Sequence, residues 1–410
     1  MEDTGEAFDA VVIGAGIMGS CATYELAKRG LKVLLLEQFD FLHHRGSSHG
    51  ESRTIRVTYP EKYYAAMVLH SWRLWEQAES EAGYRVLTRT PHLDVAPADD
   101  AGLRAVIASC RFNSVPHRVE AAGELFSGSF RVPEGWIGVY NEQGGVIRAT
   151  KALSMFQTLA LKRGAVLRDH AEVTRIEKGG ERGIRVTLGN GDEIWGKKCV
   201  VAAGAWTSKL VESVTGNVLP IKPLHTTICY WRIKEGFEET FSAGGGFPTF
   251  ASYGDPFIYG TPSLEFPGLI KVAVHGGYPC DPDRRTWTTD MDLVKRAVCP
   301  WVERTFAGRV ESTEPVVTQA CMYSMTPDED FVIDFLGGEF GKEVVVAGGF
   351  SGHGFKMSPL VGKMVADLVT GGEVTVPGVD LRYFRIGRFE ENPKGNEKEY
   401  DDLVGSHLPP

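Results

Sequence analysis

At 410 residues the chain has room for about two domains and a large core, and 43% hydrophobic with 24% charged residues is ordinary globular composition. A net charge of −9, with no long block of Lys or Arg, argues against nucleic acid and anionic membrane surfaces as partners. No apolar run approaches the roughly 20 residues of a bilayer span, and MEDTGEAF lacks the basic start and apolar stretch of a signal peptide, so a soluble intracellular protein is expected.

The first element in chain order is FDAVVIGAGIMGSCATYELAKRGLKVLLLE, Phe8 to Glu37. An apolar run, Ala10 to Ile13, reads as a buried strand. Gly14, Gly16 and Gly19 then open a helix, and a second apolar run, Val33 to Leu36, ends in an acid. Gly14 permits a tight turn, Gly16 removes a side chain that would hold the backbone away from a pyrophosphate, and Gly19 lets helix and strand pack closely. The amides at the helix start, around Met18, attract phosphate charge. Glu37 can accept hydrogen bonds from both hydroxyls of an unphosphorylated ribose and would repel a 2′-phosphate, so FAD or NAD fits better than NADP.

Two more stretches have the same texture. One contains a helix over Ala152 to Arg163, strands around Val173 and over Ile184 to Leu188, and KKCVVAAGAW, Lys197 to Trp206. The other is EVVVAGGFSGHGFKMSPLVGKMVADLVTGG, Glu343 to Gly372, again strand, glycine turn and helix. Between them lie segments richer in Pro, aromatics and strand-like runs such as TTICYWRI and GLIKVAVHGG. The expected organisation is therefore discontinuous. A nucleotide domain is built from 1–84, 146–217 and 319–390, a substrate domain from 85–145 and 218–318, and 391–410 forms a C-terminal tail. A linear split would leave the third glycine turn without its sheet.

Seven scattered cysteines (Cys21, Cys110, Cys199, Cys229, Cys280, Cys299, Cys321) show no CxxC spacing, so neither a disulfide framework nor a metal site is indicated. Lys271 stands alone in an apolar strand, where a lysine is costly unless it has a task or faces outward. His275 lies four residues on, hence on the same face of a regular strand.

FDAVVIGAGIMGS, GSSHGESRTIR (Gly46 to Arg56), AGAW (Ala203 to Trp206), CMYSMTPDEDFVID (Cys321 to Asp334) and GFSGHGFKMSP (Gly349 to Pro359), in this order over nearly the whole chain, resemble the monomeric sarcosine oxidase family of amine oxidases. HHRGSSHGESRTIR and YSMTPDEDFVIDFLGG are most similar to its eukaryotic sarcosine/L-pipecolate oxidases, particularly plant members. The resemblance implies an α/β fold, in full an α+β two-domain flavoprotein with a Rossmann-like FAD-binding domain and an interleaved antiparallel-sheet substrate domain. It implies FAD tethered by a thioether to Cys321. It implies oxidation of a secondary amino acid, sarcosine or L-pipecolate, to an imine, with oxygen reduced to hydrogen peroxide, by a monomer in the peroxisome or cytoplasm. A Ser406, His407, Leu408 tripeptide resembles a peroxisomal address, but Pro409 and Pro410 follow it.

The residue roles carried by the resemblance are these. Arg53 and His49 lie against the flavin, with Arg45, Ser48, Val173, Gly204 and Trp206 as further cofactor contacts. Arg56 and Lys356 hold the substrate carboxylate, Gly352 and Gly354 let the backbone approach the flavin, and Lys271 favours electron transfer to oxygen. His275, Tyr259 and Tyr323 shape the pocket, while His43 and His44 have no counterpart and are expected to be solvated or structural. Three alternatives remain open at the level of sequence: an NAD-linked dehydrogenase, a noncatalytic flavin-binding protein of the same fold, and an oxidase that deglycates fructosyl amino acids.

Overall fold

The computed structural model describes residues 7–121 and 128–398. Strand β1 (Phe8–Ile13), helix α1 (Ile17–Lys28) and strand β2 (Val33–Leu36) form a parallel βαβ unit in which Ala10, Val11, Val12 and Ile13 pair with Val33, Leu34, Leu35 and Leu36. Both strands are apolar without alternation because helices cover one face of the sheet and a second core covers the other.

The remaining pieces of this eight-stranded sheet come from far along the chain. On the other side of β1 lies strand Glu193–Val201, parallel to it, and beyond that come Ile184–Leu188 and Val173–Lys178. Residues 199–201 of the same long strand also pair in parallel with Val344–Gly348, which joins Val332–Phe335. The third glycine turn thus does return to the first sheet. The helix expected over 152–163 runs from Ala149 to Lys162 and packs, with helix Ser358–Gly371, against α1.

The second sheet has nine strands. Its order is Tyr278–Pro279, Lys222–Arg232, Leu269–Val274, Ile258–Thr261, Thr249–Ser252, His92–Pro97, Trp136–Asn141 and Arg118–Ala121, with Val317–Met325 also bound to Lys222–Arg232. It is not purely antiparallel: Thr249–Ser252 runs parallel to His92–Pro97. Its core is aromatic, built from Phe130, Phe241, Phe247, Phe250, Trp301 and Phe306. A third, three-stranded sheet holds Ser52–Ile55 against Gly145–Arg148 and Leu87–Arg89. The division drawn from sequence at 318/319 falls inside strand Val317–Met325, which pairs with Lys222–Arg232 from Lys222↔Met325 to Tyr230↔Val317.

The C-terminal residues up to Lys398 are docked. Arg388 donates to both carboxylate oxygens of buried Asp328 at 2.8 and 3.2 Å, Asn396 donates to Asp328 and Asp330, and Lys398 bridges Asp330 and Glu61. Residues 399–410, with the Ser406 to Leu408 tripeptide, lie outside the described residues. No helix among the described residues is long and apolar enough to cross a membrane.

Gly14 has φ +99°, and a Cβ there would lie 2.5 Å from the Ala202 carbonyl oxygen. A Cβ at Gly19 would collide with the Gly14 carbonyl oxygen itself, a backbone atom that no rotamer change can move. Gly19→Ala is therefore expected to destabilise the protein by about 1–3 kcal/mol and to lower flavin content. Urea unfolding with the flavin absorbance of the purified variant measures both, and an unaltered midpoint with full flavin content contradicts the assigned close approach.

Candidate functional site

The two large sheets and the small one enclose a single elongated cavity of about 940 Å3. Its nucleotide end is lined by Gly14, Gly16, Met18, Glu37, Ser48, Val173, Gly204 and Trp206. Helix α1 starts there with first-turn amides that no preceding turn can satisfy. The Ser48 hydroxyl accepts from the Ile17 amide at 3.0 Å, tying the loop over the turn. Glu37 accepts from the Ala15 and Phe39 amides at 2.9 and 3.1 Å, one on each oxygen, which leaves a lone pair on each for a ribose hydroxyl. His43, expected to be solvated or structural, lines the cavity with its Nε2 3.4 Å from Glu37.

At the middle of the cavity, strand pairing sets the geometry. Lys222–Arg232 is bonded on one edge to the strand of Lys271 and on the other to the strand of Cys321, with Tyr230 opposite Lys271 and Thr226 opposite Cys321. Lys271 is 2% exposed and donates to the Ser52 carbonyl at 3.0 Å, with its ammonium 5.6 Å from the centre of the Tyr259 ring. Burial, and then the charge of Arg53, bring its pKa down to about 7. The Arg53 guanidinium donates to the Ser52, Ser47 and His49 carbonyls and lies 3.9 Å from Cys321 Sγ.

Neither Arg45 nor His49, both expected as cofactor contacts, is among the residues that line the cavity. Arg45 instead stacks on the Phe39 ring at 4.6 Å. His49 is buried behind Arg53, where its carbonyl takes the guanidinium and its ring faces Gln319 at 3.3 Å. Burial and the Arg53 charge bring His49 down to about 3, so it is neutral.

The third end collects Arg56, Lys356, His275, Tyr259 and Tyr323, all expected, with Gly352 against the Tyr323 and His275 rings. It also holds Tyr59, His92 and Tyr253, which no sequence motif singled out, and His353, which lies in the GFSGHGFKMSP motif but was given no role. Arg56 lies over the Tyr59 ring, 4.2 Å from its centre, and Lys356 donates to the Tyr59 hydroxyl at 2.9 Å. Arg56 is held by the Thr58 carbonyl and stands 4.0 Å from Asp94, which His92 and Tyr253 each approach at 3.1 Å. His353 Nε2 faces the Glu329 carbonyl at 3.0 Å; a carbonyl only accepts, so this nitrogen carries the proton and Nδ1 accepts from the Tyr59 hydroxyl at 3.3 Å. His275, brought down to about 4 by burial and then Arg56, is neutral as well.

Glu61, Glu329 and Lys398 line the outer part of this end. Of these, Lys398 reaches the cavity through the docked C-terminal segment, where it pairs with Glu61 and Asp330.

A long cavity that joins a phosphate-binding helix start and ribose acceptor to a thiol flanked by a guanidinium fits FAD. Gly14, Gly16 and Glu37 could hold its adenosine side, and Arg53, Lys271 and Cys321 could face its ring. Residues 9–368 match the FAD dependent oxidoreductase family. The chain is 59% identical over 407 residues to a probable sarcosine oxidase of Arabidopsis thaliana, covering 98% of this chain and 97% of that one. It is 36% identical to the human peroxisomal sarcosine oxidase, covering 93% and 96% of the two chains. Among solved structures it is similar to L-proline dehydrogenase of P. horikoshii, with TM-score 0.79 and 26% identity over 94% of this chain and 98% of that one.

Because Lys271 titrates at about 7 when folded and at about 10.4 when unfolded, the unfolded chain binds more protons between these values and stability rises with pH there. The cost of burying the ammonium is full below about pH 7 and gone above about pH 10.4. Lys271→Met is thus expected to stabilise the protein at about pH 6 by a few kcal/mol, with the gain shrinking toward about pH 10. Urea midpoints of both proteins across this range test it, and a gain that does not vary with pH rules it out.

Proposed function

Since the chain belongs to the FAD dependent oxidoreductase family and, within it, to the sarcosine oxidases, we propose that it oxidises secondary α-amino acids of the sarcosine and L-pipecolate type to imines, with oxygen reduced to hydrogen peroxide. The observation that carries this reading is the pair of basic side chains that converge on Tyr59, Arg56 over its ring and Lys356 at its hydroxyl, at the end of the cavity away from the nucleotide turn. A guanidinium grips a carboxylate with two parallel hydrogen bonds and so fixes orientation as well as charge. The second cation limits the site to anionic groups.

With the carboxylate held there, the amine lies among Tyr259, Tyr323 and His275, whose rings are 5.3 to 6.4 Å from one another where they touch through His275. Neutral His275 adds no charge, and the neighbouring cations favour the uncharged amine. FAD, when bound, accepts the two electrons of the C–H bond beside nitrogen and passes them to oxygen. Lys271 supplies a fixed positive charge where that reduction builds negative charge. The imine leaves and hydrolyses, giving glycine and formaldehyde from sarcosine, or remains as a cyclic imine acid from L-pipecolate.

Cys321 is the residue we assign to a thioether with the flavin. Its thiol borders the cavity and lies 3.9 Å from the Arg53 guanidinium, on the strand that also faces the ring side of the site. We further assign the protein to the peroxisome or cytoplasm, working as a monomer.

Peroxide release on adding sarcosine or L-pipecolate to the purified protein is the direct test; activity confined to fructosyl amino acids would replace the substrate, and silence on every secondary amino acid would leave a flavin-binding protein without catalysis. Yellow colour should stay with acid-precipitated chain and be lost in Cys321→Ala. Lys271→Met should slow reoxidation by oxygen about 100-fold or more while leaving substrate affinity within a few-fold; an unchanged oxygen rate would falsify the role given to Lys271.

A further inference from the structure

Lys356 is 6% exposed, and its Nζ makes two hydrogen bonds, to the Tyr59 hydroxyl and the His353 carbonyl, each 2.9 Å. Two donated bonds are all that a neutral amine can make, and they leave its lone pair open. Among the described residues no carboxylate lies within 4.0 Å of this nitrogen.

The groups that face it come from several elements. Arg56 and Tyr59 follow strand Ser52–Ile55, Asp94 and His92 sit on His92–Pro97, Tyr253 follows Thr249–Ser252, His275 follows Leu269–Val274, and His353 is on the lysine's own turn. Of these, Asp94 is the one anion, and His92, Tyr253 and Arg56 surround it. The three histidines are each pushed below their ordinary value, chiefly by burial, and carry no charge. Helix Lys62–Ala82 contributes Ser71 and Trp75, which hold the Lys356 carbonyl at 2.8 and 2.9 Å, and Tyr64, whose ring packs on Tyr59 and His353 and whose hydroxyl burial keeps protonated. A lysine ammonium here has no counter-charge and a guanidinium as its neighbour. Burial, then Arg56, hold its pKa well below the usual lysine range.

Resting on the carboxylate-binding reading above, we propose that Lys356 is neutral in the resting site and accepts the proton that a zwitterionic amino acid must give up before its C–N bond is oxidised. The N–H bond of the substrate ammonium breaks and its electron pair stays on the substrate nitrogen. The lone pair of Nζ forms the new N–H bond, so the complex gains no net charge. The substrate carboxylate arrives in the same event and supplies the counter-charge that the new lysine ammonium needs. One residue thus converts the substrate to its oxidisable form and becomes the second cation of the carboxylate clamp.

Acetate brings a carboxylate and no ammonium proton. On binding to the flavin-loaded enzyme at about pH 8 to 9 it should draw about one proton per site from a weakly buffered solution containing an indicator dye. In Lys356→Arg, which is always charged, acetate should still bind but without proton uptake. Anaerobic flavin reduction by sarcosine in that variant should fall about tenfold for each pH unit below the amine's own pKa, where the native enzyme is flatter. Acetate binding to the native enzyme without proton uptake overturns the proposal, whatever the variant does. Failure of acetate to bind at all removes the carboxylate clamp instead, and this inference falls with it.

Discussion

Four basic side chains, Arg53, Arg56, Lys271 and Lys356, are gathered in one cavity, and among the described residues only Arg56 has a carboxylate within 4.0 Å, that of Asp94. They are pinned by backbone carbonyls: Arg53 by Ser47, His49 and Ser52, Arg56 by Thr58, Lys271 by Ser52 and Lys356 by His353. Arg285 follows the same rule through the carbonyls of Cys321 and Arg45. A carbonyl dipole fixes the position of a cation without cancelling its charge, so the charge remains available to an anion that enters. The architecture around the cavity can be understood as the means of aiming those carbonyls.

The carbonyls are free to do this because they lie where strands end or turn. Ser52 opens the short strand Ser52–Ile55, held by Gly145–Arg148, so its carbonyl position depends on a pairing nearly a hundred residues away. Thr58 follows that strand, and His353 sits in the glycine turn after Val344–Gly348. In that turn Ser351 has φ +42° and is fully buried, a conformation unfavourable for serine, yet its hydroxyl takes the Thr326 amide at 3.1 Å and holds it in place. The long pair Lys222–Arg232 and Val317–Met325 completes the frame by presenting Cys321 and Lys271 from strands on either side of a common neighbour.

The opposite case occurs at the C-terminus, where charges are neutralised outright. Asp328 and Arg388 are both buried and paired through two hydrogen bonds, and Asp330 takes Asn396, Lys398 and Tyr63. That cluster stitches the chain end onto the Thr326–Asp330 loop, whose Glu329 carbonyl in turn orients His353. Structure-bearing ions are thus closely paired on the outside of the site, whereas within it only Arg56 has a carboxylate neighbour, at 4.0 Å.

The nucleotide turn, Glu37, the apolar strands and the discontinuous order of the glycine-rich pieces were legible in the sequence, because each depends on local backbone geometry or on residues a few positions apart. Cys321, Lys271, Arg56 and Lys356 were legible through motif resemblance, and Lys271 also as a lone cation in an apolar strand. Tyr59, Asp94 and Tyr253 were not, since an isolated tyrosine or aspartate in a strand or loop has no periodicity to betray it, and His353, though inside a quoted motif, gained its place only from the hydrogen bonds of its folded turn. His49 and Arg45 show a related limit: sequence puts them in the loop beside the glycine turn but cannot say which side chains of a turning loop line the cavity. The amino-acid sequence by itself therefore determined which cofactor end this protein grips and which cations it carries. Only the tertiary structure decided which of those cations stay uncompensated, because that depends on which carbonyls and carboxylates distant strand pairings bring within hydrogen-bonding distance.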